Sequence, residues 1–357
     1  MRPVTEAELA EAVAGAAGPL AVRGGGTRLA GRPEGVVLET CGLAGVVLYE
    51  PAALTLVARA GTPLVEVEAL LASERQRLAF EPPDMRVLLG REGVSTIGGV
   101  AAANASGPRR VQAGAARDAL IGVRFVTGRG EVVKNGGRVM KNVTGYDLVK
   151  LMAGSHGVLG VLTELSFKLQ AMPEAEATLV LEGLDDAAGL AALRRALRSP
   201  FDVSGAARVG GRSLIRVEGM AGSVAYRTGR LRAMLAGDVV VAEGEASTGL
   251  WRDVRDIRAL AGRQGEVWRV VLVPSAAAEV AAAAGGEAVF DRGGGLVWLL
   301  LPEGPGDALQ AAIAGRGQAV PVRGASPFAP EATEVAALSA GLKAAFDPRG
   351  ILNRGLI

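Results

Sequence analysis

Residues 95–110 read Ser-Thr-Ile-Gly-Gly-Val-Ala-Ala-Ala-Asn-Ala-Ser-Gly-Pro-Arg-Arg, and the interpretation of the fold starts from this run of small side chains. Glycine is favoured where a backbone approaches a ligand closely. A flexible surface loop is the alternative interpretation. The apolar side chains of Val94, Ile97 and Val100 favour a buried position over an exposed one. The stretch is therefore a candidate ligand-binding segment.

A second glycine-rich motif, Arg23-Gly24-Gly25-Gly26-Thr27, follows an apolar segment, residues 19–23, that is typical of a β-strand. Three glycines allow successive backbone N–H groups to turn toward one phosphate without interference from a Cβ atom. Arg23 and Thr27 are available as further donors. The motif is not specific by itself, because the chain has 51 glycines and Arg292-Gly293-Gly294-Gly295 repeats its first four residues.

Two further motifs lie downstream. Residues 141–148 read Lys-Asn-Val-Thr-Gly-Tyr-Asp-Leu and suit either a polar ring system with phosphates or an exposed turn before a helix. Residues 154–163 read Gly-Ser-His-Gly-Val-Leu-Gly-Val-Leu-Thr, and their glycines lead into a strand instead of opening a helix, which argues against a Rossmann-type nicotinamide site. His156 is either a catalytic base or a structural histidine. The structural role is favoured, because no nucleophile or acidic group lies beside it in a motif that catalysis needs.

Composition excludes several classes of protein. The chain has 357 residues, of which 49% are hydrophobic and 21% charged, enough for a large core in two domains or in one long discontinuous fold. The net charge of +2 gives no reason to expect nucleic acid or a membrane surface as the main partner. A single cysteine, Cys41, and a single histidine exclude an internal disulfide and most Cys/His zinc sites, so no metal is expected. The N-terminal segment lacks a signal-peptide pattern, and we expect a cytoplasmic protein.

Apolar patterns predict the organisation of the chain. Thr62 followed by Pro63 fits a cap at the start of a helix. Residues 93–169 are predicted to be rich in loops. After residue 173 the predicted strands and helices alternate, which is typical of an α/β or α+β unit. A final helix over residues 331–346 precedes a tail, residues 347–357, whose apolar side chains indicate that it packs onto the fold.

Taken in order, the four motifs and the tail resemble the FAD-binding fold of the vanillyl-alcohol oxidase and para-cresol methylhydroxylase (PCMH) group. The resemblance covers nearly the whole chain and is most specific over residues 106–110, 136–147 and 160–164. It implies an α+β fold with a two-part FAD-binding domain of the PCMH type and an inserted α/β cap domain. The FAD-binding domain would comprise residues 1–172, completed by residues 326–357, and the cap domain residues 173–325.

Within that group the chain is similar to the smaller FAD-binding subunits of bacterial glycolate oxidases, and the resemblance implies where FAD binds. The cofactor-binding residues expected on this basis are Arg23, Gly24, Gly25, Gly26, Thr27, Gly98, Gly99, Asn104, Gly107, Gly114, Lys141, Asn142, Tyr146, Gly154, Gly157, Gly160, Val161 and Asn353. Members that tether FAD covalently have a histidine where this chain has Thr27, so non-covalent FAD is expected. Arg354 stands where the family usually has proline, which leaves the docking of the tail open.

The resemblance also implies a place in a complex. Related catalytic flavoproteins use histidines of the cap domain, whereas this chain has no histidine after His156. We therefore expect an FAD-dependent oxidoreductase subunit, accessory to a larger catalytic FAD subunit and an iron–sulfur subunit of a glycolate (2-hydroxy acid) oxidase or dehydrogenase, with contact to the inner face of the membrane only through these partners. Catalytic residues are not identified. One alternative is a self-contained FAD-dependent 2-hydroxy acid dehydrogenase that uses Lys141, Tyr146 or an arginine; another is a structural scaffold with a decayed FAD site.

Overall fold

Two antiparallel sheets organise the chain, one of five strands in the first half and one of eight in the second. The computed structural model describes residues 1–28, 31, 33–137, 145–235, 237–304, 306–324 and 330–356. The strands in these residues are β1 (Leu20–Arg23), β2 (Val36–Glu39), β3 (Val46–Glu50), β4 (Thr55–Arg59), β5 (Gln76–Arg77), β6 (Leu120–Val126), β7 (Val132–Gly136), β8 (Val161–Lys168), β9 (Gln170–Ala171), β10 (Ala175–Leu181), β11 (Val203–Val209), β12 (Arg212–Gly219), β13 (Val239–Glu243), β14 (Glu266–Leu272), β15 (Glu287–Asp291), β16 (Leu296–Leu301) and β17 (Gly317–Arg323).

Helices connect and cover these sheets. The α-helices in the described residues are α1 (Glu6–Ala14), α2 (Leu64–Ser73), α3 (Arg86–Leu89), α4 (Ile97–Ala102), α5 (Arg110–Ala113), α6 (Ala116–Ala119), α7 (Leu148–Met152), α8 (Asp186–Leu197), α9 (Ala221–Met234), α10 (Gly244–Arg255), α11 (Ala277–Ala284), α12 (Asp307–Ile313) and α13 (Thr333–Phe346). Short 3₁₀ turns lie at Thr40–Gly42, Pro51–Ala53, Arg258–Leu260, Pro274–Ala276 and Arg292–Gly294. No helix among the residues that the structure describes is both long and apolar enough to cross a membrane.

The five-stranded sheet has the order β3-β4-β8-β6-β7, with β8 at its centre. In β8 the polar residues Glu164, Ser166 and Lys168 alternate with Leu165 and Phe167, and these two apolar side chains are fully buried. They share a core with Val67 of α2 and Ile97 of α4. A smaller core beneath α1 contains Leu9 and completes the other side.

The tail returns to the first strand. Strand β1 pairs in parallel with β2, and Leu352 forms a parallel bridge with Leu20 on the tail side. The Leu20 N–H donates to the Ile351 carbonyl at 2.7 Å, and the Asn353 N–H donates to the Leu20 carbonyl at 3.0 Å. Since Ile351, Leu352 and Leu356 are buried, the prediction that the tail packs onto the fold is confirmed.

The eight-stranded sheet has the order β13-β10-β12-β11-β15-β16-β14-β17, and all its strands lie within residues 175–323. Helices α8, α9, α11 and α12 cover one face through a single large core. Every pairing in this sheet is antiparallel, so the second unit is of the α+β type. We call residues 175–323 the second unit and the rest the first unit. The division of the chain into domains at residues 172 and 326 stays a prediction.

The two units meet through an apolar cluster and a network of buried charges. Met85 and Leu88 of the first unit pack against Val267, Val289 and Trp298 of the second, on the sheet face opposite α8 and α9. The charge network consists of Arg77, Glu81 and Arg109 from the first unit and Arg216 and Glu218 from β12.

The structure differs from the local predictions at the start of α2, in residues 93–169, and at β11, β15 and β17, which were not predicted as strands. The helix α2 is capped by Pro63 without a side-chain hydrogen bond, because the Thr62 hydroxyl instead donates to the Arg59 carbonyl at 2.7 Å. Residues 93–169 contain four short helices, α4 to α7. Strand β11 was missed because its sequence, Val-Ser-Gly-Ala-Ala-Arg-Val, has few strong β-formers. Its small residues are explained by tertiary packing, since a Cβ at Gly205 would lie 2.7 Å from the ring of Trp251.

Candidate FAD-binding site

An open cleft of about 690 Å³, counting the part open to solvent, lies between the loop after β1, helix α4 and the turn before β8. The cleft brings together ten of the predicted cofactor-binding residues: Arg23, Gly24, Gly25, Gly26, Thr27, Gly98, Gly99, Gly157, Gly160 and Val161. Three motifs that are far apart in the sequence thus line one cleft.

Close packing explains the glycines of the loop after β1. A Cβ at Gly25 would overlap the carbonyl oxygen of Val94, and one at Gly24 would lie 2.5 Å from the Thr96 hydroxyl oxygen. The loop therefore lies directly on the segment that leads into α4. Any substitution of Gly25 disturbs this packing, so such a variant does not report on a cofactor alone.

The same loop offers hydrogen-bond donors. Within the described part of the chain, the N–H groups of Gly25, Gly26 and Thr27 make no hydrogen bond to another residue. Gly26 has a φ of +71°, a conformation that favours glycine and turns neighbouring N–H groups toward one side. Successive free N–H groups of this kind suit an anionic oxygen.

Arg28 adds a partly buried cation to this end of the cleft. Its guanidinium donates to the Pro83 carbonyl and, at 2.8 Å, to the Ser95 hydroxyl. The Nε atom is buried and has no hydrogen-bond partner in the described residues. Burial lowers the pKa of Arg28 to about 10, although the nearby charge of Asp84 opposes this effect. Arg28 is therefore still a cation at pH 7, with an unused donor.

His156 lies in the wall of the cleft, and its backbone fixes the turn around it. Its φ is +50°, its N–H donates to the Ala102 carbonyl at 2.9 Å, and its carbonyl accepts from the Asn353 side chain at 2.6 Å. Burial, and then the charge of Arg269, lowers the pKa of His156. The imidazole is therefore neutral at pH 7.

Asn353 supports the cleft from outside it. Its side-chain oxygen accepts from the Val22 N–H at 2.6 Å, while its amide nitrogen donates to the carbonyl of His156. One side chain of the tail thereby joins β1 to the turn before β8. Asn353 does not line the cleft.

Other predicted residues also lie away from the lining, and most have a local structural role. The Asn104 side chain accepts from the Arg117 N–H at 3.0 Å. Gly107 approaches the Glu81 carbonyl, Gly114 ends α5 with a φ of +80°, and the Gly154 N–H donates to the Ala101 carbonyl at 3.1 Å. Tyr146 is 88% exposed. Lys141 and Asn142 lie outside the described residues. For all of these residues, cofactor binding stays a prediction.

Several lining residues were not predicted. They are Val22, Arg28, Thr40, Ala60, Thr96, Ala102, Ala103, His156 and Leu162. Two had a signal in the sequence: Arg28 directly follows the glycine loop, and Thr96 precedes Ile-Gly-Gly as the N-cap of α4, accepting from the Gly99 N–H at 3.2 Å. Ala102 and Ala103 had none, since alanine is common throughout the chain.

The lining is suited to an anionic ligand with phosphates. It contains Arg23 and Arg28 and no Asp or Glu among the described residues. The unpartnered Nε of Arg28 and the free N–H groups of the glycine loop both fit the phosphates of a dinucleotide cofactor. In the described residues no group of three or more His, Cys, Asp or Glu side chains is arranged to hold a metal ion.

Comparison with known proteins identifies the family. The model of the FAD-binding domain family matches residues 1–136. The chain is 36% identical to the glycolate oxidase subunit GlcE of Escherichia coli (strain K12) over 342 residues, which cover 94% of this chain and 92% of that protein. The chain belongs to the GlcE family. Its cofactor is FAD, and the family is one of oxidoreductases.

Two more distant similarities were found, one in sequence over part of the chain and one in structure over nearly all of it. The glycolate oxidase subunit GlcD of Bacillus subtilis (strain 168) is 35% identical over 176 residues, which are 48% of this chain and 36% of that protein. An alkyldihydroxyacetonephosphate synthase structure superposes with a TM-score of 0.73 over 99% of this chain and 76% of its own, at 15% identity. This likeness confirms the predicted α+β fold with a PCMH-type FAD-binding domain.

Proposed function

We propose that this GlcE-family chain is the non-covalent FAD-binding subunit of a complex that oxidises glycolate or a related 2-hydroxy acid. The observation that carries the proposal is the cleft, in which three separated glycine motifs, free N–H groups and the partly buried Arg28 converge in a chain that matches GlcE over nearly its whole length. When bound, FAD supplies a two-electron acceptor for such an oxidation.

The residues of the cleft would hold the cofactor by its phosphates and by shape. Gly25, Gly26 and Thr27 would donate backbone N–H groups to phosphate oxygens, and the guanidinium of Arg28 would offset their charge. Gly98 and Gly160 leave no room for a Cβ, which would meet the Ala60 carbonyl oxygen and the Phe125 ring, so the walls of the cleft pack closely on the protein behind them. Because Thr27 stands where covalently linked members of the group have histidine, no covalent bond to FAD is expected.

We further propose that the substrate is oxidised on another subunit. Oxidation of a 2-hydroxy acid needs a base for the hydroxyl proton, and the second unit, which we propose as a cap domain, has no histidine. The relative named GlcD indicates a second subunit with a similar FAD-binding region. The first proposed partner is therefore a larger catalytic FAD subunit, and the family resemblance adds an iron–sulfur subunit. We propose that the complex lies in the cytoplasm, where it contacts the inner face of the membrane only through these partners.

The site can be tested by filling the cleft. Ala103 lies at the C-terminal end of α4 with a helical backbone, φ −90° and ψ −3°, and lines the cleft. Replacement by leucine adds volume to the cleft without backbone strain, and we expect the affinity for FAD to fall at least tenfold. The measurement is titration of the apoprotein with FAD by flavin fluorescence. The control is Ala103→Ser, which should bind like the parent chain; equal affinity of the leucine variant would refute the assignment of the cleft.

The attachment and the accessory role have separate tests. Acid or heat denaturation should release all yellow colour into solution, whereas colour retained by the protein would refute non-covalent binding. Glycolate added anaerobically to the isolated FAD-loaded chain should leave the flavin bands unchanged. Prompt bleaching would instead establish the self-contained dehydrogenase, and a colourless protein that takes up no FAD would establish the scaffold.

A further inference from the structure

Three arginines come together where the second unit faces the loop after α4. Arg269 lies on β14 between Val267 and Val271, and therefore on the sheet face where Val267 packs with Met85 and Leu88 of the first unit. Arg269 is directly opposite Trp298 of β16. Its guanidinium thus points toward the first unit, in a partly buried position.

Arg292 reaches the same place from the end of β15. Its backbone is left-handed, with a φ of +55°, and its guanidinium donates to the Ser106 carbonyl of the first unit at 3.2 Å. The Nε atom is buried and without a hydrogen-bond partner in the described residues. The Asp291 carboxylate, which accepts from the backbone N–H of Arg292 at 2.7 Å, lies 3.9 Å from that Nε atom.

Arg110 of α5 supplies the third cation, and we call Arg110, Arg269 and Arg292 the arginine cluster. Neither Arg110 nor Arg269 makes a side-chain hydrogen bond or ion pair with the residues described here. Burial, followed by the charge of Arg110, lowers the pKa of Arg269. Burial lowers the pKa of Arg292 to about 10. The charge of Asp291 opposes this effect, and the charges of Arg110 and Arg269 add to it. Three mutually repelling guanidinium groups with one carboxylate among them leave an excess of partly buried positive charge, which a bound anion would offset.

The cluster adjoins the cleft. Ser106, which Arg292 contacts, follows α4 by four residues, and the end of α4 at Ala102 and Ala103 lines the cleft. Arg269 is close enough to His156, another lining residue, to disfavour its protonation. The arginine cluster therefore lies beside the wall of the cleft that α4 and His156 form. Two of its three members, Arg269 and Arg292, belong to the second unit, whereas the glycine loop belongs to the first.

We propose that the arginine cluster binds the carboxylate of a small 2-hydroxy acid, or of its 2-oxo product, beside the FAD cleft. This inference rests on the proposed function and extends it, because it gives the subunit a ligand site of its own. Planar guanidinium groups match a carboxylate by paired N–H···O bonds. The phosphates of the cofactor already have donors in the glycine loop and Arg28, which leaves the cluster for a second anion.

The test measures anion binding directly, with oxalate as a probe that resembles the substrate class. Titration calorimetry on the full-length FAD-loaded chain should show oxalate and glycolate binding, no binding of the neutral glycolamide, and weaker binding of inorganic phosphate. In Arg269→Gln the Kd for oxalate should rise at least tenfold while the thermal midpoint stays equal or rises, because the variant removes a partly buried cation without a partner. Arg230→Gln, on the exposed side of α9, is the matched control and should bind as the parent does. An unchanged Kd in Arg269→Gln would overturn the proposal.

Further measurements separate this inference from the proposed function. Arg110→Gln should weaken oxalate binding as Arg269→Gln does, and unchanged binding there would also count against the cluster. If both variants lose FAD affinity and keep oxalate affinity, the cluster serves the cofactor and the inference is wrong. If the parent chain binds no FAD, the proposed function fails, yet oxalate titration of the apoprotein still decides the inference by the same tenfold criterion.

Discussion

Replacing Glu218 by glutamine is expected to lower the free energy of unfolding by about 3–5 kcal/mol, the usual cost of removing one partner from a buried ion pair. Glu218 lies on β12 at the contact between the two units, and its side chain is 3% exposed. Arg109 donates to both its carboxylate oxygens, at 2.9 and 3.0 Å, and Arg77 donates to one of them at 2.6 Å. Arg216 adds its Nε atom at 3.5 Å.

The magnitude follows from these contacts. A hydrogen bond to a charged group contributes about 1.5–3 kcal/mol, so three of them set an upper range of about 4.5–9 kcal/mol. Glutamine has nearly the same shape as glutamate and keeps one acceptor oxygen, so part of this hydrogen-bond energy is retained in the variant. It leaves Arg77, Arg109 and Arg216 with Glu81 as the remaining carboxylate of the network, and this uncompensated positive charge is the main cost.

The assay is urea unfolding followed by tryptophan fluorescence. Trp251 is a suitable probe, because the Arg216 guanidinium lies 4.5 Å from its ring centre. Glu279→Gln is the matched control. Glu279 forms a bidentate ion pair with Arg316, at 2.9 and 3.1 Å, but on the surface. The loss of this exposed pair should cause no measurable change in stability. Equal unfolding midpoints for the Glu218 and Glu279 variants would refute the argument that burial makes the difference.

The effect also has a predicted pH dependence. Burial opposes ionisation of Glu218, but the charges of Arg216, Arg109 and Arg77 outweigh it and hold the pKa of Glu218 well below its usual range. A carboxyl whose pKa is lower in the folded state stabilises the fold above its unfolded pKa, about 4.3 for glutamate. The advantage of the parent chain over Glu218→Gln should therefore be constant at neutral pH and shrink as the pH falls below about 4.

Two further predictions concern other buried polar groups. Burial raises the pKa of Glu176, whose carboxylate accepts from the Ser247 hydroxyl at 2.6 Å, so its ionisation costs stability once the pH exceeds its unfolded pKa. In urea unfolding at pH 7, Glu176→Gln should therefore be at least as stable as the parent chain. The difference in stability should vanish below about pH 4, where the carboxyl is protonated in both states. A variant clearly less stable than the parent at pH 7 would contradict this reasoning. Asn353→Ala removes the bonds to Val22 and His156 and should cost about 2 kcal/mol or more and weaken FAD binding in the fluorescence titration. Asn353→Asp keeps the acceptor for Val22 but sets a carboxylate oxygen against the His156 carbonyl, so it should lose at least as much stability as Asn353→Ala, and a clearly smaller loss would contradict a role for the bond to His156.

Much of the cleft could be predicted from the sequence, because glycines at strand ends mark backbone that must turn or approach something closely. The loop of residues 24–27, the pair Gly98 and Gly99, and the turn around Gly157 were all expected to bind the cofactor, and all line one cleft. Arg28 was not predicted, because its place after the glycine loop does not show where its side chain lies. Only the contacts to Pro83 and Ser95 make it a partly buried cation with an unused donor.

Asn353 shows the opposite case. Its place in the tail motif was recognised, but its contacts to Val22 and His156 join segments that lie 331 and 197 residues away. No local pattern encodes such a contact. Likewise, the small residues of β11 predict no strand, and the ring of Trp251 over Gly205 explains them only after the chain has folded.

The sequence by itself determined the order of the glycine motifs, because they depend on local backbone requirements that residue types record directly. The cofactor class and the α+β fold followed from the family resemblance that these motifs carry. The tertiary structure alone decided which charges meet. The network around Glu218 and the arginine cluster both join residues of the first unit to residues of the second. Charge type is visible in a sequence, but burial and distance set the energy of a charged contact, and both arise only when the two units pack together.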